Sequence, residues 1–329
     1  MKTKTLIIFG LIFLAALIFI PWIGPEPINL SQSLDYIRGV STPQGNIFWF
    51  QRFPRVLLAL LTGGSLAVVG ACFQVLFRNP LVEPYTLGLS GGSALGAFLA
   101  ISIPSLWVTW GPLSSIQLFA VLGSAASLSL IYTLAKNPQG ISVYTLLLAG
   151  VTISIICGGL ILLLTYVSNP NALMHFQRWM MGGLDVAGYK ELNSLLPLLV
   201  PGLFLLFFHA NDLNHISLGE EMALGHGVPV KRLQRNIFIG GGLTTAVVVS
   251  LVGPIGFVGL IVPHAVRHLV GYDQRNVIPC SFFLGGTALA ICDAAARTVI
   301  YPTELPVGII TAIIGGPLFI RLLISRRWK

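Results

Sequence analysis

The sequence predicts an all-α, polytopic membrane protein with about ten transmembrane helices. Three observations carry that expectation. Hydrophobic residues make up 55% of the 329-residue chain. Charged residues make up only 9%, against about a quarter in a soluble domain, and the mean hydropathy is +0.85. The apolar residues fall in runs long enough to cross a bilayer core, where a helix satisfies its own backbone polar groups. The net charge of +8 is not gathered on one face, as a duplex-binding protein requires. Its basic residues sit singly or in short clusters between apolar runs. Cys72, Cys157, Cys280 and Cys292 lie in apolar surroundings without metal-ligand spacing and read as small core residues.

Taken in order, residues 6–20 form a first span. Lys2 and Lys4 precede it as in a signal peptide, but Ile20-Pro21-Trp22 follows in place of a small-residue cleavage site, so a retained helix is expected. A mixed loop leads to a long second span over 52–77, whose Gly63, Gly64, Ala67, Gly70 and Ala71 supply a small-residue face. Arg78-Asn79-Pro80 breaks it. Spans over 87–103, 113–134 and 143–167 follow, with a turn at 136–140. Residues 168–191 are amphipathic and aromatic, with His175, Phe176 and Trp179, and suit the membrane interface.

A sixth span covers 195–209, and the longest hydrophilic passage runs from 211 to 235. Within it, Leu218 to Gly225 reads as a short helix bounded by glycines. A seventh span over 237–252 ends sharply at Gly253-Pro254-Ile255-Gly256-Phe257, and a short eighth segment reaches about Pro263. The region after Pro263 reads as polar. Spans over 279–296 and 307–323 complete the chain.

Charge counting sets the orientation. With both termini cytoplasmic, Lys2, Lys4, Arg78, Lys136, Lys231, Arg232, Arg235, Arg267, Arg275 and the C-terminal basic group share the inner side. Arg38, Arg52, Arg55, Arg178, Lys190 and Arg297 then face out. This asymmetry fits the positive-inside rule.

The motifs bear a family resemblance. Arg52-Phe53-Pro54-Arg55, Gln74 with Arg78-Asn79-Pro80-Leu81 and Pro84, Leu87-Gly88, Leu218-Gly219-Glu220 with Ala223 and Leu224-Gly225, and the run from Gly253 to His264 with Arg267 follow one another in family order. Asp293, Arg297, Glu304-Leu305-Pro306-Val307-Gly308 and Gly315-Gly316-Pro317 close the set. The chain resembles the FecCD-type permease family of ABC importers, whose members carry iron-siderophores, haem and vitamin B12.

The resemblance implies a type II ABC importer permease fold, with residues 1–329 as a single transmembrane permease domain and 211–235 as its cytoplasmic ATPase-coupling segment. It implies a bacterial inner-membrane location and a second permease subunit, expected to be identical. It also implies two cytoplasmic ATPases and a periplasmic or extracellular substrate-binding protein. The chain itself is expected to be no enzyme and to bind no cofactor, with ATP and magnesium held by the ATPases. It has no Gly-x-x-x-x-Gly-Lys-Ser/Thr loop, and no nucleic-acid partner is expected.

Arg52, Arg55 and Arg297 are expected to dock the binding protein's acidic residues. Leu218, Gly219, Glu220, Glu221, Ala223, Leu224, Gly225 and Arg267 are expected at the ATPase interface. Gly63, Gly64, Gly70, Gly253, Pro254, Gly256, Gly308 and Gly315 are expected to serve gating or helix packing. Asp293, an acid inside an apolar run, is expected to pair with Arg297 four residues on. Glu83 and Asp273 are expected to organise local loops. His175, His264 and His268 read as structural, and no metal site is expected.

An iron-siderophore or another bulky metal chelate is the expected cargo, moved inward by alternating access, with haem, vitamin B12 or molybdate as the alternatives. An ion-gradient-driven secondary transporter is the competing class; it would need buried ionisable groups lining a coupling site.

Overall fold

The computed structural model describes residues 2–37, 39–40, 42–103, 106, 113–137, 140–185 and 188–326. Arg38, Pro138, Gln139 and residues 327–329, which enter the charge count and the turn at 136–140, lie outside the described residues. Among the described residues the chain is helical apart from a two-residue antiparallel ladder, β1 (Lys136–Asn137) with β2 (Gly140–Ile141), at the expected turn.

Seven helices are long and apolar enough to cross a bilayer. They are α1 (Lys2–Phe19), α4 (Phe53–Leu76), α6 (Ser115–Ala135), α7 (Val143–Val167), α9 (Lys190–Phe208), α12 (Val230–Val252) and α14 (Gln274–Thr298). Two shorter apolar helices, α5 (Leu89–Ser102) and α13 (Val258–Val270), and the last helix, α15 (Val307–Arg326), complete the expected set of spans. Short helices fill the connections: α2 (Leu30–Ile37), α3 (Pro43–Asn46), α8 (Pro170–Met180), α10 (Ala210–Ser217) and α11 (Glu220–Gly225).

Local chemistry sets the helix starts. Ser114 and Gln117 form a reciprocal capping box at α6, and Ser142 and Asn169 accept backbone N–H bonds at the starts of α7 and α8. Pro170 occupies the first turn of α8, where a missing N–H costs nothing. This helix docks on α5 through Phe176, which stacks on Phe98 with ring centroids 4.2 Å apart.

α4 is the central column: from Thr62 to Leu76 every residue is buried. It packs antiparallel to α14, with Gly63 against Gly285 and Leu289, Gly64 against Phe282, and Arg55 against Asp293. A methyl group on Gly63 or Gly64 would run into that helix. Gly70 lies directly under the carbonyl of Gly259 on α13, so a side chain there has no room. Small residues give these contacts their short interaxial distance, which in lipid replaces a hydrophobic driving force between helices.

α13 does not stop near Pro263. It continues to Val270. A proline inside a helix cannot donate to the carbonyl four residues back, which here belongs to Gly259. Gln74 Nε2 on α4 supplies the missing donor, bonding Gly259 O at 3.1 Å and Leu260 O at 3.2 Å. A side chain from a distant part of the sequence therefore repairs the break that the proline creates.

Candidate functional site

The expected site residues gather at the two ends of α4. At its N-terminal end, Asp293 is fully buried and holds two arginines. Arg55 Nε donates to Asp293 Oδ1 at 2.9 Å and Oδ2 at 3.2 Å. Arg297 Nε lies 3.0 Å from Oδ2, an ion pair without hydrogen-bond alignment, and its Nη1 donates to Ile23 O at 3.2 Å. Arg55 Nη1 also donates to Glu304 at 2.6 Å and lies 3.8 Å from Asp185, which pairs with Arg178 at 3.3 Å.

Arg52 turns to the loop after α1, donating to Glu26 O at 2.6 Å. The three arginines line one open cavity of about 570 Å³ with Glu26, Asp185 and Glu304. The expected Asp293–Arg297 pair is present. All three are largely enclosed: Arg52 and Arg297 are buried, and Arg55 is 12% exposed at its side chain. The sequence placed no carboxylate against Arg55, and the structure gives it two close ones.

At the other end, α10 and α11 form a hydrophilic projection. Ala223 is buried beneath it, while Leu218, Met222 and Leu224 are exposed beside Glu220, Glu221 and Gly225. Gly219 at the start of α11 has φ +135°, open to glycine and strained for other residues. Glu220 accepts from Gln234 Nε2 at 3.1 Å, and Gln234 Oε1 accepts from Ile141 N at 3.0 Å, tying the projection to α12 and the β ladder.

Arg267 departs from the expected ATPase surface. It is 9% exposed, with Nη1 donating to Gln74 Oε1 at 2.6 Å and Nη2 to Ala71 O at 3.3 Å. It braces α13 to α4 because a buried guanidinium needs fixed acceptors. Asp273 caps α14 through Arg275 N, and its carboxylate also takes Asn214 Nδ2 at 2.8 Å on α10, so it does organise the local loops. Burial alone would raise its pKa; the bonds from Asn214 and Arg275 outweigh that and hold it below the ordinary aspartate value.

The break before α13 is built from irregular backbone. Gly253 has φ +69° and lies against Trp179 O, and Gly183 N donates to Val252 O at 2.9 Å. Pro254 O faces Gly182, whose carbonyl accepts from Gly308 N at 3.2 Å. Phe257, a non-glycine residue with φ +69°, donates its N–H to Glu83 at 3.3 Å and packs over Gly315. Tyr85 OH bonds Ile255 N. Gly256 has open space where a side chain would stand, whereas Gly308 lies against Met181 O and Pro254 O and Gly315 against the Phe257 ring.

Sequence reasoning also left His264 and His268 apart. The structure places their Nε2 atoms 3.0 Å apart on one face of α13, and their four-residue spacing was the signal. Among the described residues no three His, Cys, Asp or Glu side chains group as metal ligands.

The FecCD transport family matches residues 9–325. The hemin transport system permease of Yersinia pestis is 38% identical over 84% of this chain and 82% of its own length. The cobalamin import permease of Halobacterium salinarum is 39% identical over 84% of this chain and 72% of its own. The vitamin B12 import permease of Escherichia coli O17:K52:H18 is 36% identical over 87% and 86%. A solved ABC transporter in an inward-facing conformation, provisionally classed as metal-chelate type, superposes with a TM-score of 0.84 at 30% identity, over 98% of this chain and 99% of that one. The chain thus belongs to the FecCD transport family and is a non-catalytic, membrane-spanning permease subunit of an ABC importer.

Proposed function

We propose that the chain forms the pore of an importer for a metal–tetrapyrrole, haem or a cobalamin, rather than for an iron-siderophore. The observation behind this cargo is that relatives 36–39% identical over most of both chains carry hemin, cobalamin and vitamin B12. Two identical copies flank the pathway, both termini are cytoplasmic, and a binding protein delivers the cargo to the arginine-lined cavity. Acidic side chains of that protein meet Arg52, Arg55 and Arg297 across the open cavity, and Asp293 keeps the inner pair in place.

Two ATPases engage residues 211–235. The exposed Leu218, Met222 and Leu224 on an otherwise polar projection support this role, since an apolar strip in water gains by being covered. The gradient-driven alternative needs a membrane acid free to exchange ions, whereas Asp293 is held by two arginines.

The test is ATP hydrolysis and uptake in proteoliposomes holding the permease, its ATPase and its binding protein, with haem, cyanocobalamin, a ferric siderophore or molybdate. One tetrapyrrole should stimulate both. Stimulation by the siderophore or molybdate alone would overturn the cargo, and uptake that follows an ion gradient without ATP would overturn the importer mechanism.

A further inference from the structure

We infer that Arg78, at the end of α4 nearest the coupling projection, anchors an acidic side chain of the partner ATPase; the inference rests on the ATPase reading above. The backbone carries the first argument. Arg78 N donates to Val75 O and Asn79 N to Gln74 O, both at 3.1 Å. Those two bonds form a Schellman motif that closes α4, with Arg78 at the left-handed position just past the helix. Its φ is +46°. Glycine takes that conformation without steric cost, and an arginine does not. Folding alone would favour glycine here, so the arginine points to a use for its side chain.

The surroundings set the sign of the partner group. Arg78 lines an open cavity of about 400 Å³ with Ser217 of α10, Tyr272 and the α13 residues His264, Arg267 and His268. Among the described residues no Asp or Glu lines it. Asp273, next in sequence to Tyr272, is held by Asn214 and Arg275. The two histidines meet through Nε2 at 3.0 Å and bring no negative charge. Arg267 is committed to Gln74 and Ala71. Arg78 is exposed, and among the described residues its guanidinium makes no hydrogen bond or ion pair.

Continuity with the projection selects the occupant. Ser217 in the cavity wall directly precedes Leu218, which opens the exposed strip of Leu218, Met222 and Leu224. A protein seated on that strip has the cavity beside it. A carboxylate entering there accepts two parallel N–H bonds from the Arg78 guanidinium and lies in the field of Arg267 as well. The apolar strip supplies buried area, and Arg78 supplies orientation and speed of encounter, as charge complementarity does at interfaces. The phosphate of an anionic lipid is the competing occupant, and the experiment separates the two.

The experiment measures the affinity of the full chain in detergent for its ATPase subunit at about 50 and 500 mM salt. Arg78→Gly should weaken binding about tenfold at low salt, and Arg78→Glu should weaken it further. Wild-type affinity should fall with salt more steeply than that of Arg78→Gly. The Arg78→Gly melt should be level with or above wild type, which separates a contact from a folding role. Lys136→Gln, at an exposed charge outside the cavity, should change neither affinity nor melt. Unchanged affinity in Arg78→Glu, an equal loss in Lys136→Gln, or a lower Arg78→Gly melt would overturn the inference. If phosphatidylglycerol in the micelles raises the wild-type melt but not that of Arg78→Gly, with equal ATPase affinity in both, the cavity holds a lipid phosphate and the inference falls. Loss of the ATPase in Leu218→Asp with Leu224→Asp, beside full affinity in Arg78→Glu, would remove this anchor and keep the projection. Retention of the ATPase in that leucine double variant would instead overturn the ATPase reading itself.

Discussion

Replacing Asp293 by Asn should be among the most destabilising single changes in this chain. The carboxylate is fully buried and contacts two guanidiniums whose side chains are 12% and 4% exposed. Asparagine keeps the volume and removes the charge. Glu304, 47% exposed at its side chain, and Asp185 at 3.8 Å are then the carboxylates left for Arg55 among the described residues, and Arg297 loses its ion pair with Asp293. Removing one member of a buried pair costs about 3–5 kcal/mol, because the remaining charge stays in low dielectric. At roughly 2–4 °C per kcal/mol for a chain above 150 residues, the midpoint should fall on the order of 10 °C.

Tryptophan-fluorescence melts of the detergent-solubilised chain at one fixed scan rate measure this, since membrane proteins often unfold irreversibly. Glu304→Gln is the internal comparison: a half-exposed pair contributes about 0–1 kcal/mol, so its shift should stay within about 4 °C. The double variant Asp293→Asn, Arg297→Gln should recover part of the loss, because it also removes one stranded charge. An Asp293→Asn midpoint no lower than that of Glu304→Gln would refute the reasoning.

Gly70→Ala puts a methyl on the Gly259 carbonyl and should cost about 1–3 kcal/mol by overpacking; the melt should drop, while Gly225→Ala, with open space at its Cβ, should melt unchanged. Leu218→Asp with Leu224→Asp, both at exposed positions, should reduce co-purification of the ATPase subunit at least tenfold with an unaltered melt, and full retention would remove the coupling role. Asp273→Ala should cost about 1 kcal/mol through the lost α14 cap. Because the folded pKa of Asp273 lies below its ordinary value, that contribution is present above about pH 4 and is lost as pH falls through the folded pKa. The melting difference between wild type and Asp273→Ala should therefore close in acid, and a constant difference down to pH 3 would argue against an ionised cap.

What the sequence made legible follows from the range of the forces involved. The bounds of α7 agree residue for residue with the apolar run at 143–167, because polar Ser142 and Ser168 flank it. The Asp293–Arg297 pair was readable because four residues is one helical turn. Arg55 binding Asp293 was not, since 238 positions separate them. The sixth and seventh spans start at Lys190 and Val230, earlier than hydropathy suggested. A first helical turn tolerates charged side chains, and hydropathy discounts them. α13 outran its expected end because the donor that compensates Pro263 comes from Gln74, 185 positions from the carbonyl it bonds. Arg267 looked like a surface cation for the same reason: its acceptors lie on α4.

These contacts also constrain where the molecule can change shape. Gly63 meets Gly285, and Gly70 meets Gly259, backbone against backbone. At these two points no side chain lies between the backbones to re-pack during a slide, and Arg55–Asp293 and Gln74–Arg267 pin the unit at both ends. Helices α4, α13 and α14 therefore resist relative translation and move most cheaply as one body. The segment that joins this body to α12 is the irregular run from Gly253 to Phe257. There Phe257 holds a left-handed conformation that costs a non-glycine residue about 1–3 kcal/mol. Its N–H is met by Glu83, and Tyr85 bonds the neighbouring Ile255. Side chains from the α4–α5 connection thus hold the joint in a backbone state it would not keep alone. A relative movement of α12 and this body would be absorbed at that joint, where a few dihedrals change before a packed helix face has to part.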